Sequence, residues 1–190
     1  MTTIAAAKKG KKICIGCDSL TLFGNRKEKS DQLSSRKDKI IKHKSMYLGC
    51  SGSAAWSEVL VDYFKNLKVE YGFDNVEAIY LEMSKLHKIL KEKYFLTPQQ
   101  SNDDIFESSE YLLLFINSKG IFEVDWMRNV REYSQIAAIG TGDEYALGAM
   151  KAVYEQESDP KTIVKTGLEA AAKFDQKTEF PAFYHVLNFE

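Results

Sequence analysis

The first residues in this sequence with types and positions suited to chemistry are at its start, where Met1 is followed by Thr2. An initiator methionine is readily removed when the next residue is as small as threonine. Its removal would leave a free α-amine and a hydroxyl on one residue. An α-amine has an ordinary pKa of about 7.7–8.0. A nearby cation such as a lysine would lower it, leaving the amine largely neutral near pH 7 and able to take the hydroxyl proton, so that Thr2 would carry both nucleophile and base. The dipeptide alone carries little weight, because many chains begin this way for no catalytic reason.

Other candidates are weaker. Cys14-Ile15-Gly16-Cys17 has the C-x-x-C spacing of zinc ligands or a redox pair. In a strand, however, residues three apart point to opposite faces with Cα atoms about 10 Å apart, so the two sulfurs could not share a metal. The three histidines, His43, His87 and His185, form no H-x-x-x-H pair, and no metal site or cofactor is expected. Gly140-Thr141-Gly142 could make an anion-binding turn but lacks both G-x-G-x-x-G and a P-loop lysine, and Thr141 by itself reads as a helix cap. No G-x-S-x-G elbow marks a serine hydrolase.

The elements that must position such residues follow from hydrophobic periodicity. Thr3–Ala7 and Ile13–Asp18 read as strands joined by the turn Lys8–Lys12, forming an antiparallel hairpin. Lys39–Ile41 and Ser45–Cys50 read as two more strands, ending in the small-residue segment Gly49-Cys50-Ser51-Gly52-Ser53. Trp56, Val59, Leu60, Tyr63, Phe64 and Leu67 then recur at helical spacing, as do Val76, Ile79, Tyr80, Met83, Leu86 and Leu90 in a second helix. Asp74 and Glu77 have capping-box spacing before the second helix, and the two helices should pack as a pair.

Strands return at Glu110–Asn117, Ile121–Trp126 and Gln135–Ile139. Thr141-Gly142-Asp143-Glu144 opens a third helix with capping-box spacing, its stripe formed by Leu147, Met150 and Tyr154. Asp159-Pro160 opens a fourth through Val164, Leu168, Ala171 and Ala172, with proline at the favoured first position. A strand at Pro181–Phe189 closes the chain. Each helix pair needs an apolar surface to cover, and two stacked antiparallel sheets with a helical layer outside each supply it. The expected fold is an α+β, four-layer αββα sandwich.

At 190 residues and 44% hydrophobic, the chain suits one domain with one sizeable core, spanning 1–190. Its 26 basic and 27 acidic residues give a net charge of −1, so no overall field draws it to nucleic acid or an anionic membrane. The basic stretch from Arg26 to Lys44 is interrupted by Glu28, Asp31 and Asp38 and has no aromatic residue for a base to stack on; it reads as a solvated loop. Ile4–Ala7 is too short for a secretory leader, which needs about 7–15 apolar residues after a positive start. The apolar run Tyr111–Ile116 falls far short of the roughly 20 residues that span a bilayer. An odd count of three cysteines suits a reducing compartment. A cytoplasmic protein is expected.

Several segments taken together resemble the proteasome β-subunit and HslV family of N-terminal-nucleophile threonine peptidases: MTTIAA, GCDSLT, DKI, GCSGSAA and AAIGTGDEYALGAM, in the family's order across nearly the whole chain. Within that family the sequence resembles the bacterial proteasome homologue of β-proteobacteria, and also HslV. The resemblance implies the sandwich of N-terminal-nucleophile hydrolases, with Thr2 as nucleophile after loss of Met1. Asp18 would orient a lysine, and Lys39, at the start of a Lys-Ile strand, would be that lysine; Lys37 competes on register because the preceding loop is longer than in HslV.

By the same resemblance Gly52 supplies a backbone N–H to the oxyanion, where glycine permits close approach, with Ser51 and Ser53 shaping the turn. Thr141 stands where the family has a serine near the nucleophile. Asp175 and Thr178 keep the spacing of a supporting aspartate and serine. Cys50 and Ala54 would line the pocket for the residue before the cut, and Thr21 would offer backbone contacts to the substrate strand.

The implied activity is hydrolysis of peptide bonds in unfolded proteins or peptides, inside a chamber of identical subunits in hexameric or heptameric rings stacked in pairs. An ATP-driven unfoldase is a candidate partner. Two alternatives stay open: a noncatalytic proteasome-like scaffold subunit, which predicts retained Met1 or an inert Thr2, and an N-terminal-nucleophile amidase acting on a small molecule in an enclosed pocket.

Overall fold

The computed structural model describes residues 2–24, 26–28, 38–67, 73–98 and 105–188. Met1, Lys37, Phe189 and much of the basic stretch after Arg26 lie outside the described residues.

The first hairpin forms as the pattern predicts. β1 (Thr3–Lys9) and β2 (Lys12–Cys17) pair antiparallel with Ile4 opposite Cys17 and Lys9 opposite Lys12. A small hairpin follows, β3 (Thr21–Phe23) with β4 (Arg26–Glu28), and then β5 (Ile40–His43) and β6 (Met46–Ser51). Helices α1 (Ala55–Asn66) and α2 (Val76–Lys93) lead to β7 (Leu112–Ile116), β8 (Ile121–Val124), β9 (Val130–Tyr133) and β10 (Ile136–Gly140). Helices α3 (Asp143–Val153) and α4 (Pro160–Phe174) precede the last strand, β11 (Phe183–Asn188).

The strands make two antiparallel sheets, ordered β10-β1-β2-β11 and β5-β6-β7-β8-β9. Strand alternation assigns the layers. Ile4, Ala6, Ile13, Ile15 and Cys17 face the second sheet and meet Leu114, Ile116 and Ile121. Ala5, Ala7 and Cys14 face the other way, onto Ala146, Met150, Ile163, Val164 and Leu168 of α3 and α4. On the far side of the second sheet, Leu48, Leu113, Phe115 and Phe122 pack against Leu60 and Phe64 of α1 and against Met83, Leu86 and Leu90 of α2. This is the four-layer αββα sandwich. Cys14 and Cys17 are buried in different layers, as a strand requires, and both are free thiols.

Three local readings are corrected. The cap of α2 is Asn75, not Asp74: Asn75 is extended and its side-chain oxygen accepts from Ala78 N at 2.9 Å, so the helix starts one residue later than the Asp74–Glu77 spacing implies. Thr141 does not cap α3, whose N-cap is Gly142, because its hydroxyl is used elsewhere. The short strands β3, β4 and β9 were not expected. Pieces of three or four residues are too short to show a period-two signal, and β9 is held at its edge partly by Arg131 and Tyr133 on Glu123. At α4 the reading stands, with Asp159 as N-cap and Pro160 in the first turn.

Candidate active site

The ends of β1, β2 and β10 converge where the chain enters its first strand. Thr2 is 6% exposed, and its carbonyl accepts from Thr141 N at 3.1 Å. The approach is close enough to dictate the residue at position 140. Gly140 has φ +108°, and a Cβ there would collide with the Thr2 carbonyl oxygen. Only glycine fits both that dihedral and that contact.

Asp18 follows β2 directly and is 1% exposed. Its Oδ1 accepts from Thr3 N at 2.9 Å and from the Lys39 ammonium at 2.8 Å, and its Oδ2 accepts from Leu20 N at 2.9 Å. Burial pushes the Asp18 carboxyl above its ordinary pKa, while the Lys39 charge and these hydrogen bonds oppose that rise. Lys39 also donates to the Leu20 carbonyl at 2.6 Å, and its side chain is 13% exposed. A lysine with one donor on a buried carboxylate and another on a backbone carbonyl has its charge fixed in place rather than swinging on a flexible stem.

Thr2 and Lys39 line one cleft of about 480 Å³, together with Gly52, Thr21, Cys50 and Ala54. Gly52 sits on the turn from β6 to α1 at φ +152°, and a Cβ there would press on Trp56 at 3.0 Å and on the Glu110 carbonyl at 3.1 Å. Trp56 Nε1 donates to that same carbonyl at 3.1 Å, so the turn is backed by a fixed indole and a fixed peptide. Burial pushes the Cys50 thiol well up, keeping it protonated. With Ala54, it makes this part of the cleft small and weakly polar. A larger groove of about 800 Å³ runs elsewhere, along the start of α2. Its lining, which includes Val76, Tyr80, Ile105, Phe106 and Val130, is largely apolar and contains none of the residues gathered around Thr2.

On the other side of Thr2, a chain of hydroxyls joins β1 to the end of α4. Thr141 Oγ1 donates to Asp175 Oδ2 at 2.7 Å, and Thr178 Oγ1 donates to the same oxygen at 2.6 Å. Thr3 Oγ1 lies 2.5 Å from Thr178 Oγ1 and accepts from Gly142 N at 3.1 Å. Since Thr178 donates to a carboxylate, Thr3 is the donor in the pair of hydroxyls. Partial burial pushes the Asp175 carboxyl up, but the hydroxyl bonds from Thr178 and Thr141 outweigh it and hold the group below the usual carboxylate range.

The residues expected to act together thus fall into two groups on either side of Thr2: Asp18, Lys39 and Gly52 with the cleft wall at Thr21, Cys50 and Ala54, and Thr141 with Asp175 and Thr178. Sequence reasoning missed Thr3, Gly140, Trp56 and the Leu20 carbonyl. Thr3 reads as an ordinary strand residue and Trp56 as ordinary helix core. Gly140 carried a visible signal, in the Gly-Thr-Gly turn, but its contact lies across the sheet.

Residues 1–180 match the model of the family described as proteasome subunit. The chain is 30% identical over 173 residues to the ATP-dependent protease subunit HslV of Caldicellulosiruptor saccharolyticus, covering 90% of this chain and 89% of that one. It is 32% identical over 176 residues to the HslV subunit of Campylobacter curvus, with 90% and 88% covered. Among solved structures, Thiobacillus denitrificans BPH superposes with a TM-score of 0.92 at 35% identity, covering 99% of this chain and 98% of that one. The same protein in complex with epoxomicin gives 0.91 at 35% identity, with 99% of each covered. The HslV of Trypanosoma brucei, at 20% identity, TM-score 0.74 and coverage of 98% and 99%, shares the fold.

Proposed function

The chain belongs to the proteasome subunit family, and on that footing we propose how it works as a self-compartmentalising threonine endopeptidase. The observation that carries the reading is the Asp18 carboxylate, which holds both Thr3 N–H and the Lys39 ammonium beside Thr2 at the cleft.

Removal of Met1 frees the α-amine of Thr2. Lys39 lowers the pKa of that amine through its positive charge, and Asp18 keeps Lys39 in position. Thr2 Oγ bonds to the carbonyl carbon of the scissile peptide while its proton passes to the α-amine. Gly52 N–H stabilises the oxyanion that forms. Collapse breaks the C–N bond, the amine returns the proton to the leaving nitrogen, and an ester to Thr2 remains. Water, deprotonated by the same amine, cleaves that ester and restores the hydroxyl. Thr141, with Asp175 and Thr178, supports the far side of the nucleophile. Thr21 offers its backbone to the substrate strand, and Cys50 and Ala54 favour a small, fairly apolar residue before the cut.

Residues 1–190 act as one peptidase domain of a homo-oligomer, in hexameric or heptameric rings stacked in pairs, working in the cytoplasm on peptides or unfolded protein. The name of the HslV relatives, ATP-dependent protease subunit, supports an ATP-driven unfoldase as partner. The near-neutral charge of −1 gives no support to a nucleic-acid partner. Among the described residues no helix is long and apolar enough to cross a membrane.

Epoxomicin, bound by the Thiobacillus denitrificans relative, supplies the test. Intact mass of the purified chain should show Met1 absent and, after incubation with epoxomicin, an added mass of one inhibitor per chain. Thr2→Ala should gain nothing. Retained Met1, or equal labelling of the variant, overturns the reading.

A further inference from the structure

Lys39 sits at the junction of two sheets, and the residue before it is held by a group that the reaction itself does not use. Asp38 Oδ2 lies 2.6 Å from His185 Nε2. A carboxylate can only accept, so the imidazole must present its Nε2–H to Asp38. The other oxygen of Asp38 accepts from Ile40 N at 2.8 Å, closing a side-chain turn around Lys39, and from the Cys17 thiol at 3.5 Å. Burial, and then the Asp38 charge, push the Cys17 thiol up, so it keeps the proton it donates. The ring of His185 is stacked on Tyr47 of β6, with centroids 4.6 Å apart and planes at 22°.

The topology gives this cluster a role. His185 is on β11, the edge strand of the first sheet, opposite Ile15 of β2. Asp38 leads into β5, the edge strand of the second sheet. The pair therefore ties together two edge strands of different sheets at the point where Lys39 must reach across from one to Asp18 on the other.

We propose that His185 is a positioning residue for Lys39: through Asp38 it fixes the turn that carries the lysine, and so fixes the distance between the ammonium and the nucleophile. This rests on the reading of Lys39 as the cation that tunes Thr2. Displacing Lys39 weakens its field at the α-amine, whose pKa then rises towards its ordinary value. The amine must be neutral to act as base, so the acidic limb of the rate profile moves to higher pH. A role confined to packing would lower stability without moving that limb.

The test uses the assembled particle and a peptide substrate. His185→Phe keeps a ring against Tyr47 but loses the donor, whereas His185→Gln keeps an N–H that reaches Asp38. The phenylalanine variant should lose about 10- to 100-fold in kcat with little change in KM, with the acidic limb of kcat/KM displaced upwards, and the glutamine variant should recover most of both. If the phenylalanine variant does not assemble, His185→Asn, whose shorter amide cannot reach Asp38, carries the same expectation. A variant without the bond to Asp38 that keeps wild-type kcat and limb overturns the proposal, as does an equal loss in the glutamine variant and in the variant without that bond with the limb unmoved. Thr2→Ala, measured alongside, separates the two readings: full activity in that variant overturns the peptidase assignment itself.

Discussion

At the scale of single residues, the site depends on charges fixed by neighbours. Lys39→Ala removes the cation from Asp18, a carboxylate with almost no access to water. The variant should lose at least about 100-fold in kcat/KM and about 3–5 kcal/mol of stability near neutral pH, since a buried charge has lost its partner. The sign of the pH dependence follows from burial, which raises the Asp18 pKa in the fold. Without Lys39 that pKa rises further, so the variant is closest to wild type in acid and falls behind as pH climbs through the raised value. Urea melts across pH test this. Asp175 behaves in the opposite sense, because its hydroxyl bonds hold it below the usual carboxylate range. Its contribution is complete above the ordinary carboxylate pKa and is lost as pH falls through the lower folded value. Asp175→Asn should therefore melt below wild type at neutral pH, with the gap closing in acid.

At the scale of elements, the site is made by strand ends that grip one another. β10 ends at Gly140, and the entry to β1 crosses directly over it. Gly140→Ala must move either the Thr2 carbonyl or the β10 end, because the contact is far inside van der Waals range. The expected outcome is a loss of about 1–3 kcal/mol from backbone strain and about 100-fold in kcat from displacement of Thr2, the proposed nucleophile, read by melting temperature and steady-state kinetics. The Gly-Thr-Gly turn was visible in the sequence, but not this consequence: the atom that excludes a side chain belongs to a residue more than half the chain away. The same holds for Trp56, legible as the first buried position of a helix but not as the group that donates to Glu110 behind the Gly52 turn.

At the scale of the whole molecule, two sheets sealed face to face keep the Thr2 end of β1 and the Gly52 turn in fixed relation. Leu114 is fully buried between the sheets, in the layer that also holds Ile4 and Ile15. Leu114→Ala should cost about 2–5 kcal/mol through lost burial and the cavity left behind, with inhibitor labelling of Thr2 retained while the protein stays folded. Denaturant melts and intact mass distinguish the two effects. Above the single chain, native mass should give an integer number of subunits, and a peptide should be cut faster than a folded protein of the same sequence content if the sites face an inner chamber.

The order of elements was legible because strands alternate and helices repeat at three and four residues, so both helix pairs and the principal strands could be read along the chain. The motifs around Thr2, Asp18, Lys39, Gly52 and Thr141 were legible because short segments keep their residue types at fixed positions within one element. Short charged strands such as β9 were not, since their pairing is decided by a neighbour rather than by their own pattern. Nor were the contacts of Thr3 with Thr178, of Gly140 with Thr2, or of Asp38 with His185. Each joins residues well over a hundred positions apart, and a sequence pattern records the face on which a side chain lies but not what folds against it. The sequence by itself determined the layers and the residue types available for chemistry. Only the packing of the layers decided which of those residues meet, because a side-chain hydrogen bond exists only when donor and acceptor atoms carried by separate elements are held within about 3 Å.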